Sequence, residues 1–225
     1  MKDLITIGLP SKGRLKDKSI SFFNDTGLKI LQSEKERNYF GTIENKSNIK
    51  IIFLHAKEII QRLADGTIDI GVSGLDLLKE SEKNLRDKIS IQKKLDFGNA
   101  KLVVAVPNDW IDVQTIADLE EISFDLKSCK NTRLRVATKY PNLTNNFLIS
   151  KGVTQYKLVS SLGATETYPF IGSSEIITDI TSTGKTLTDN NLRELKDGLI
   201  LNSTACLFYA KKKLVKINKS NIFKN

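Results

Sequence analysis

The chain has 225 residues, of which 40% are hydrophobic and 27% are charged, and its formal net charge is +9. This composition is typical of a globular protein, and because no run of about 18 apolar residues occurs, no membrane-spanning helix is expected. A single histidine, His55, and two distant cysteines, Cys129 and Cys206, exclude a zinc centre rich in His and Cys. We therefore expect a cytoplasmic protein whose two thiols are unpaired.

Predicted strands and helices alternate along the chain. In chain order the strands are LITIGLP (4–10), IKIIFL (49–54), IDIGVSG (68–74), KLVVAVP (101–107), RLRVATKYP (133–141), YKLVSSLG (156–163) and a strand over 175–180; the helices are 13–27, 56–66, 142–152 and one that begins at Leu187. Strands separated by helical segments of about 10–15 residues are typical of parallel βαβ units, so the pattern predicts an α/β fold. The polar stretch 108–133 is interpreted as a surface excursion.

The C-terminal end is strongly basic, with six lysines in the last fifteen residues, KKKLVKINKSNIFKN. We interpret it as a solvated basic tail. An arm that binds nucleic acid is the alternative, but no base-reading motif accompanies the lysines, so no nucleic-acid partner is expected.

The stretch DITSTGKTL, from Asp179 to Leu187, resembles a phosphate-binding loop between a strand and a helix. Asp179 occupies the position of the first glycine of the nucleotide-binding P-loop, where a charge and a Cβ are unsuited to the tight turn. A carboxylate before such a loop suits a phosphorylated ribose, because it accepts hydrogen bonds from sugar hydroxyls while the loop holds the 5′-phosphate. A plain turn with a solvated Asp179 is the alternative. The residues expected to bind the phosphate are Thr181, Ser182, Thr183, Gly184, Lys185, Thr186 and Leu187.

Other strand ends also carry candidate site residues, since ligands collect at the carboxyl ends of strands in open α/β sheets. Lys12 and Arg14 in LPSKGRL suit a diphosphate, although a basic first helical turn is the alternative. In DIGVSGLDLL, Gly71, Ser73 and Gly74 form either the wall of a substrate cleft or a simple strand–helix turn.

Three further strand ends are less specific. Glu166 in SSLGATE either faces a ligand or caps a helix. Arg135, Lys139 and Tyr140, around ATKYPN, are near a strand end and could meet a nucleotide. His55 is interpreted as a surface residue at a strand end rather than as a catalytic base.

Six motifs together, LPSKGRL, DIGVSGLDLL, KLVVAVP, RVATKYPNLT, SLGATE and DITSTGKTL, resemble in content and order those of the ATP phosphoribosyltransferase family. The resemblance runs from Leu4 to about Tyr209. It implies the short form of the family, which works with a separate regulatory subunit similar to histidyl-tRNA synthetase, in an octamer with four copies of each chain. One departure is Ser11, which gives P-S-K-G-R where the commonest long-form pattern is P-K-G-R.

The resemblance also implies the architecture, two α/β domains of the periplasmic-binding-protein type with the active site in the cleft between them. Carried onto this sequence, the first domain is discontinuous and covers residues 1–94 and 188–225. The second domain covers residues 95–187 and carries the sugar-phosphate loop. KLVVAVP is the expected crossing element.

The implied reaction joins N1 of the adenine of ATP to 5-phosphoribosyl 1-diphosphate and releases diphosphate. By the resemblance, Asp179 binds the ribose hydroxyls, Lys12 and Arg14 face the diphosphate or the phosphates of ATP, and Glu166 lies near the ribose or Mg²⁺. Mg²⁺ is the expected cofactor, held mainly by the diphosphate, with no firm protein ligand. Two other readings remain open at this point, a non-catalytic anion-binding module of the same architecture and a P-loop nucleotide hydrolase.

Overall fold

A computed structural model describes residues 4–32, 39–220 and 222–223. Its strands are β1 (Ile5–Pro10), β2 (Ile30–Gln32), β3 (Phe40–Ile43), β4 (Lys46–Leu54), β5 (Ile70–Gly74), β6 (Ile89–Lys94), β7 (Ala100–Pro107), β8 (Leu134–Thr138), β9 (Tyr156–Ser160), β10 (Ile176–Thr181), β11 (Leu192–Ser203) and β12 (Ala205–Ala210). Its α-helices are α1 (Gly13–Asp25), α2 (Ala56–Asp65), α3 (Leu75–Glu80), α4 (Lys83–Arg86), α5 (Ile116–Lys130), α6 (Pro141–Ser150), α7 (Lys185–Asp189) and α8 (Leu214–Ser220). Short 3₁₀ helices cover Thr165–Thr167 and Lys211–Lys213.

The chain divides into two compact units, the first built from residues 1–98 and 204–225 and the second from residues 99–203. The sequence analysis places these boundaries at 94/95 and 187/188 instead. The second boundary differs because β11 pairs antiparallel with β7, from Leu192 opposite Pro107 to Ser203 opposite Ala100. Residues 188–203 therefore belong to the second unit, and β11 is part of its sheet. Residues 1–3, 33–38, 221 and 224–225 of the expected first domain lie outside the described residues.

The first unit contains a sheet with the strand order β2-β3-β4-β1-β5-β12-β6 in its described part. β1 runs parallel to β4 and β5, while β12 runs antiparallel to both β5 and β6. The apolar run of β1 is buried because it lies in the middle of the sheet, with apolar side chains packed on both faces. Phe23 of α1 belongs to the core on one face, and Ile59 of α2 belongs to the core on the other.

The C-terminal segment packs on the first unit, so the interpretation as a solvated tail is wrong. Ile217 and Ile222 are buried, and the ring of Phe223 lies 5.8 Å from that of Phe23. Lys216 Nζ lies 3.0 Å from Oδ1 of the buried Asp69. The lysines of this segment are spaced by apolar residues that reach the core, which the count of basic residues does not reveal.

The second unit contains a sheet with the order β11-β7-β10-β8-β9. β8 is parallel to both β9 and β10, so the carboxyl ends of these three strands meet at one edge. The stretch 108–133 is not a mere surface excursion, because it contains the fifteen-residue helix α5, whose buried residues include Ile116 and Leu119. A capping box begins this helix, in which Thr115 and Asp118 bind each other's backbone amides.

Candidate active site

The predicted sugar-phosphate loop follows the carboxyl end of β10 in the second unit. Thr181 is the last residue of β10, and its Oγ1 accepts a hydrogen bond from the Gly184 amide at 2.9 Å. Thr183 Oγ1 accepts a second, longer one from the Lys185 amide at 3.4 Å. Gly184 has a φ of 77°, in the left-handed region that favours glycine. The loop therefore holds its own shape through its hydroxyls before any ligand is bound.

The side chains after Thr181 divide between solvent and core. Ser182, Thr183, Lys185 and Thr186 are exposed, and Leu187 is buried among apolar residues of the second unit. The helix α7 begins at Lys185, two residues earlier than the sequence analysis predicts. Leu187 thus anchors the loop in the core, and the hydroxyls and one ammonium group remain accessible to an anion.

Asp179 is half-buried and lies two residues before Thr181, the last residue of β10. Burial raises the pKa of its carboxyl above the ordinary value, and the nearby Glu166 raises the pKa further. The Ile180 amide, which donates to Oδ1 at 2.9 Å, and the charge of Lys139 act in the opposite direction. Because water solvates this carboxylate poorly, hydroxyl donors from a ligand would stabilise its charged form.

Glu166 lies in the 3₁₀ helix that follows β9. The preceding Ala164 adopts a φ of 45°, which residues with a Cβ seldom adopt. Ser161 and Thr165 hold this loop together through a hydrogen bond of 2.9 Å between their hydroxyls. The structure brings Glu166 close enough to Asp179 for the two carboxylates to interact.

Arg135 does not belong with Lys139 and Tyr140 at the carboxyl end of β8. It lies near the amino end of that strand, where its guanidinium binds Glu175 at 2.6 Å and the Gly172 carbonyl at 2.8 Å. Because its guanidinium is bound by the segment just before β10, the structure does not support the expectation that Arg135 meets a nucleotide. Lys139 is exposed and follows β8 directly.

Lys12 and Arg14 flank the start of α1 in the first unit. Lys12 is the N-cap residue, Gly13 has a φ of 69°, and the first turn contains no acidic residue. Both basic side chains are exposed. Unpaired amides at a helix start, together with two cations and no acid, make a site that attracts anions.

Gly71, Ser73 and Gly74 have contacts inside the first unit. A Cβ at Gly71 would lie 2.6 Å from Cγ2 of Ile59, so glycine is needed for α2 to approach β5. Ser73 is buried and donates a hydrogen bond of 2.7 Å to the Ala56 carbonyl. A Cβ at Gly74 would collide with the Asp76 carboxylate. These contacts give the stretch a packing role.

His55 is the N-cap residue of α2, and its Nδ1 accepts a hydrogen bond from the Lys57 amide at 3.3 Å. The interpretation as an exposed residue at a strand end is confirmed. Cys129 is exposed and Cys206 is buried, and both are free, as expected. Within the described residues, no helix is long and apolar enough to cross a membrane.

Sequence reasoning misses one set of polar residues beside the site. Thr138, Thr144 and Thr178 are all buried, and their hydroxyls bind one another. A threonine in a strand or a first helical turn is unremarkable by itself, and only the pairing of β8 with β10 brings the three together.

The chain crosses twice between its two α/β units. This is the architecture of periplasmic substrate-binding proteins. A substrate-binding protein of an amino acid ABC transporter aligns with 98% of this chain and 92% of its own, with a TM-score of 0.55 and 13% identity. At that identity the likeness shows the fold alone, and it confirms the predicted fold class.

Comparison with known sequences narrows this class to one family. The ATP phosphoribosyltransferase (HisG) family profile matches residues 55–224. Curated ATP phosphoribosyltransferases from Brucella melitensis and Chelativorans sp. are 44% and 47% identical, over 92% and 93% of this chain and 90% and 91% of their own. The chain belongs to the ATP phosphoribosyltransferase family, and the resemblance noted in the sequence is confirmed.

A solved structure agrees with this assignment. The ATP phosphoribosyl transferase (HisG:HisZ) complex from Thermotoga maritima aligns with 97% of this chain and 94% of the matched chain, with a TM-score of 0.74 and 23% identity. The fold of this chain is therefore shared with a protein of the same family.

Proposed function

We propose that the chain catalyses the reaction for which its family is named, the transfer of a phosphoribosyl group to ATP. The donor is 5-phosphoribosyl 1-diphosphate, the acceptor is N1 of adenine, and the products are N1-(5-phosphoribosyl)-ATP and diphosphate. This reaction is the first step of L-histidine biosynthesis. The observation that carries the proposal is the identity of 44–47% to named transferases over nearly the whole chain.

The loop Thr181–Thr186 holds the 5′-phosphate of the donor. Its exposed hydroxyls and Lys185 are free to face an anion, while the bond from the Gly184 amide to Thr181 keeps the turn in shape. Hydroxyls and amides that are already positioned bind a phosphate without a further ordering cost. Leu187 anchors the loop through its burial.

Asp179 holds the ribose hydroxyls. Its carboxylate is half-buried, and hydroxyl donors would replace the water that burial removes. The loop and this acid together fix both ends of the sugar, so that C1 is held for attack. Catalysis then consists of positioning and of electrostatic stabilisation of the leaving group.

Lys12 and Arg14 face the departing diphosphate or the phosphates of ATP. As adenine N1 forms its bond to C1, the bond from C1 to the diphosphate oxygen breaks and the diphosphate leaves with the electron pair. Two exposed cations at the start of α1, with no acid in that turn, suit the growing negative charge. Gly71, Ser73 and Gly74 support this part of the fold through the packing described above.

A phosphoribosyl diphosphate substrate implies a divalent metal, and we propose Mg²⁺. The carboxylates of Asp179 and Glu166 interact with each other and are oxygen donors of the kind that Mg²⁺ prefers. No group of three or more potential ligands occurs within residues 4–32, 39–220 and 222–223. These residues therefore fit a cation that the diphosphate holds for the most part. When bound, Mg²⁺ supplies neutralisation of the leaving group's charge.

We further propose that the chain works with a regulatory subunit similar to histidyl-tRNA synthetase. The neighbour from Thermotoga maritima is a complex of two proteins, HisG and HisZ, which supports a partner of this kind. A cytoplasmic location belongs to the same proposal, because the free Cys129 and Cys206 suit a reducing compartment.

The test is direct formation of the product. The chain and its regulatory subunit are mixed with ATP, 5-phosphoribosyl 1-diphosphate and Mg²⁺, and N1-phosphoribosyl-ATP is followed by its ultraviolet absorbance. Product without free phosphate is expected. Release of phosphate from ATP alone would indicate a nucleotide hydrolase, and binding without turnover would indicate an anion-binding module; either result would overturn the proposal.

Two variants test the assigned roles. Thr186→Ala and Asp179→Asn should weaken the sugar-phosphate substrate more than ATP, because a lost contact with a charged group costs about 1.5–3 kcal/mol, or about 10- to 150-fold. Thr132→Ala and Asp125→Asn change exposed residues of the same unit outside the site and serve as matched controls. Equal losses for both substrates would contradict the roles.

A further inference from the structure

Three buried threonine hydroxyls form a closed ring behind the proposed sugar-binding acid. Thr138 ends β8, Thr178 lies in β10, and Thr144 lies in the first turns of α6. Their exposed fractions are 1%, 0% and 0%. The distances between hydroxyl oxygens are 3.2 Å for Thr138–Thr144, 2.7 Å for Thr144–Thr178 and 2.6 Å for Thr178–Thr138.

The direction of the hydrogen bonds in the ring is determined. Thr178 donates its proton to Thr138, so Thr144 must donate to Thr178, and Thr138 must then donate to Thr144. Each hydroxyl donates once and accepts once within the ring. Thr138 also accepts a hydrogen bond of 2.9 Å from the Tyr140 amide. Removal of any one hydroxyl would leave a buried donor without an acceptor.

The ring holds the backbone from which two site residues project. Thr138 and Thr178 lie opposite each other in the parallel register of β8 and β10, so Lys139 and Asp179 follow them at the same edge. Successive strand residues point to opposite faces. Because Thr178 faces α6, Asp179 projects from the other face of the same strand, and the ring fixes β10 from behind.

Thr138 also supports the loop that carries Glu166. The Ser161 amide donates to the Thr138 carbonyl at 3.0 Å, and the Ser161 hydroxyl lies 2.9 Å from that of Thr165. Thr138 thus links the ends of β8, β9 and β10. Three buried hydroxyls are more costly to desolvate than three valines, and what they add is directional geometry.

We propose that the hydroxyl ring of Thr138, Thr144 and Thr178 is a positioning device that sets the Asp179 carboxylate against the hydroxyls of the ribose 5-phosphate moiety. This inference rests on the proposed function, which assigns Asp179 to the sugar. The three threonines do not touch substrate and act through Asp179. Their removal therefore impairs use of the phosphoribosyl donor and spares ATP.

The test compares a single variant with a triple variant. Thr178→Val leaves a buried hydroxyl donor unpaired, whereas Thr138→Val/Thr144→Val/Thr178→Val replaces all three hydroxyls by apolar groups of similar shape and removes only one other contact, the acceptor of the Tyr140 amide. Thr178→Ser keeps the hydroxyl. Ser123→Ala removes an equally buried hydroxyl of the second unit, which binds the Glu120 carbonyl in α5, and serves as control.

The full chain is assayed with its regulatory subunit, and binding of ribose 5-phosphate to the chain is measured by calorimetry. We expect Thr178→Val and the triple variant to raise KM for the donor, and Kd for ribose 5-phosphate, about tenfold, because a displacement of Asp179 by less than about 1 Å should cost less than the roughly 100-fold of a full misplacement of about 1 Å. KM for ATP should stay unchanged, and Thr178→Ser and Ser123→Ala should resemble the wild type. Melting temperatures establish that the triple variant is folded.

The outcomes separate this inference from the proposed function. A triple variant with normal donor KM and normal affinity for ribose 5-phosphate would show a purely structural role and overturn the inference. A wild-type chain that binds ribose 5-phosphate but forms no phosphoribosyl-ATP would overturn the proposed function, and the affinities would still decide the inference. A wild-type chain that forms phosphoribosyl-ATP without binding ribose 5-phosphate would support the proposed function, and the donor KM of the triple variant would then decide the inference.

Discussion

Replacement of Lys216 by methionine should destabilise the first unit, because this lysine pairs with a buried carboxylate 147 positions away. Lys216 Nζ lies 3.0 and 3.1 Å from the two oxygens of Asp69. The side chain of Asp69 is 4% exposed and that of Lys216 is 25% exposed. Of these contacts, the Asp69 carboxylate of the variant would keep only the hydrogen bond of 2.7 Å that the Thr6 amide donates.

The expected loss in the free energy of unfolding follows from how deeply Asp69 and Lys216 are buried. Removal of one partner of a fully buried ion pair costs about 3–5 kcal/mol. Because a quarter of Lys216 reaches solvent and the Thr6 amide remains, we expect about 2–3 kcal/mol in the free energy of unfolding. At about 2–4 °C per kcal/mol for a chain of this size, the melting temperature should fall by about 4–12 °C.

Urea and thermal denaturation of Lys216→Met and Lys211→Met provide the measurement. Lys211 is exposed in the 3₁₀ helix just before α8, so its replacement removes the same charge without breaking the pair. We expect the control to change stability by less than about 0.5 kcal/mol. In a double-mutant cycle with Asp69→Asn, the two losses should not add. Equal midpoints for the two lysine variants would refute the reasoning.

Three further predictions concern single substitutions, two in the second unit and one in the first. Asp179→Asn should stabilise the protein at pH 7. Burial raises the pKa of Asp179 in the folded state above its value in the unfolded state, so the native state binds more protons between these two pKa values. The wild type therefore loses stability as the pH rises from the unfolded to the folded pKa. Denaturant midpoints across pH should show this gain vanish on acidification, and a constant difference would contradict it. Arg135→Met should lower the melting temperature without changing either KM, since Arg135 binds Glu175; a raised donor KM would point to a substrate contact. Gly71→Ala should destabilise the first unit by about 1–3 kcal/mol in urea titrations, because the new Cβ would lie 2.6 Å from Ile59, and a neutral result would mean that α2 can retreat.

The parts of the fold that are predictable from sequence are those with a strong local pattern. The apolar runs of β1 and β7 form strands that end at prolines, as predicted, and each strand has a neighbour on both sides. The helix α5 is missed because polar residues make up about half of its sequence and few of its residues are buried. Its capping box, which begins at Thr115, is the local signal that could have located its start.

The missed features depend on contacts between distant residues. The domain boundary near 203 depends on the pairing of β11 with β7, which no local pattern indicates. Arg135 and Glu175 are 40 positions apart, and no local pattern in the sequence indicates that they form an ion pair. For the candidate site, the order of motifs identifies the loop at Thr181–Thr186, whereas the threonine ring behind it requires the register of β8 and β10.

The position of β12 has a consequence for synthesis on the ribosome. β12 separates β5 from β6 in the first sheet, so β6 has no hydrogen-bonded neighbour in that sheet until residues 205–210 have emerged. The second sheet draws all its strands from residues 100–203 and needs nothing translated later. The sheet of the second unit can therefore form during synthesis before the sheet of the first unit is complete. A premature stop just before residue 204 would release a protein with a complete second sheet and a first sheet in which β6 is separated from the other strands.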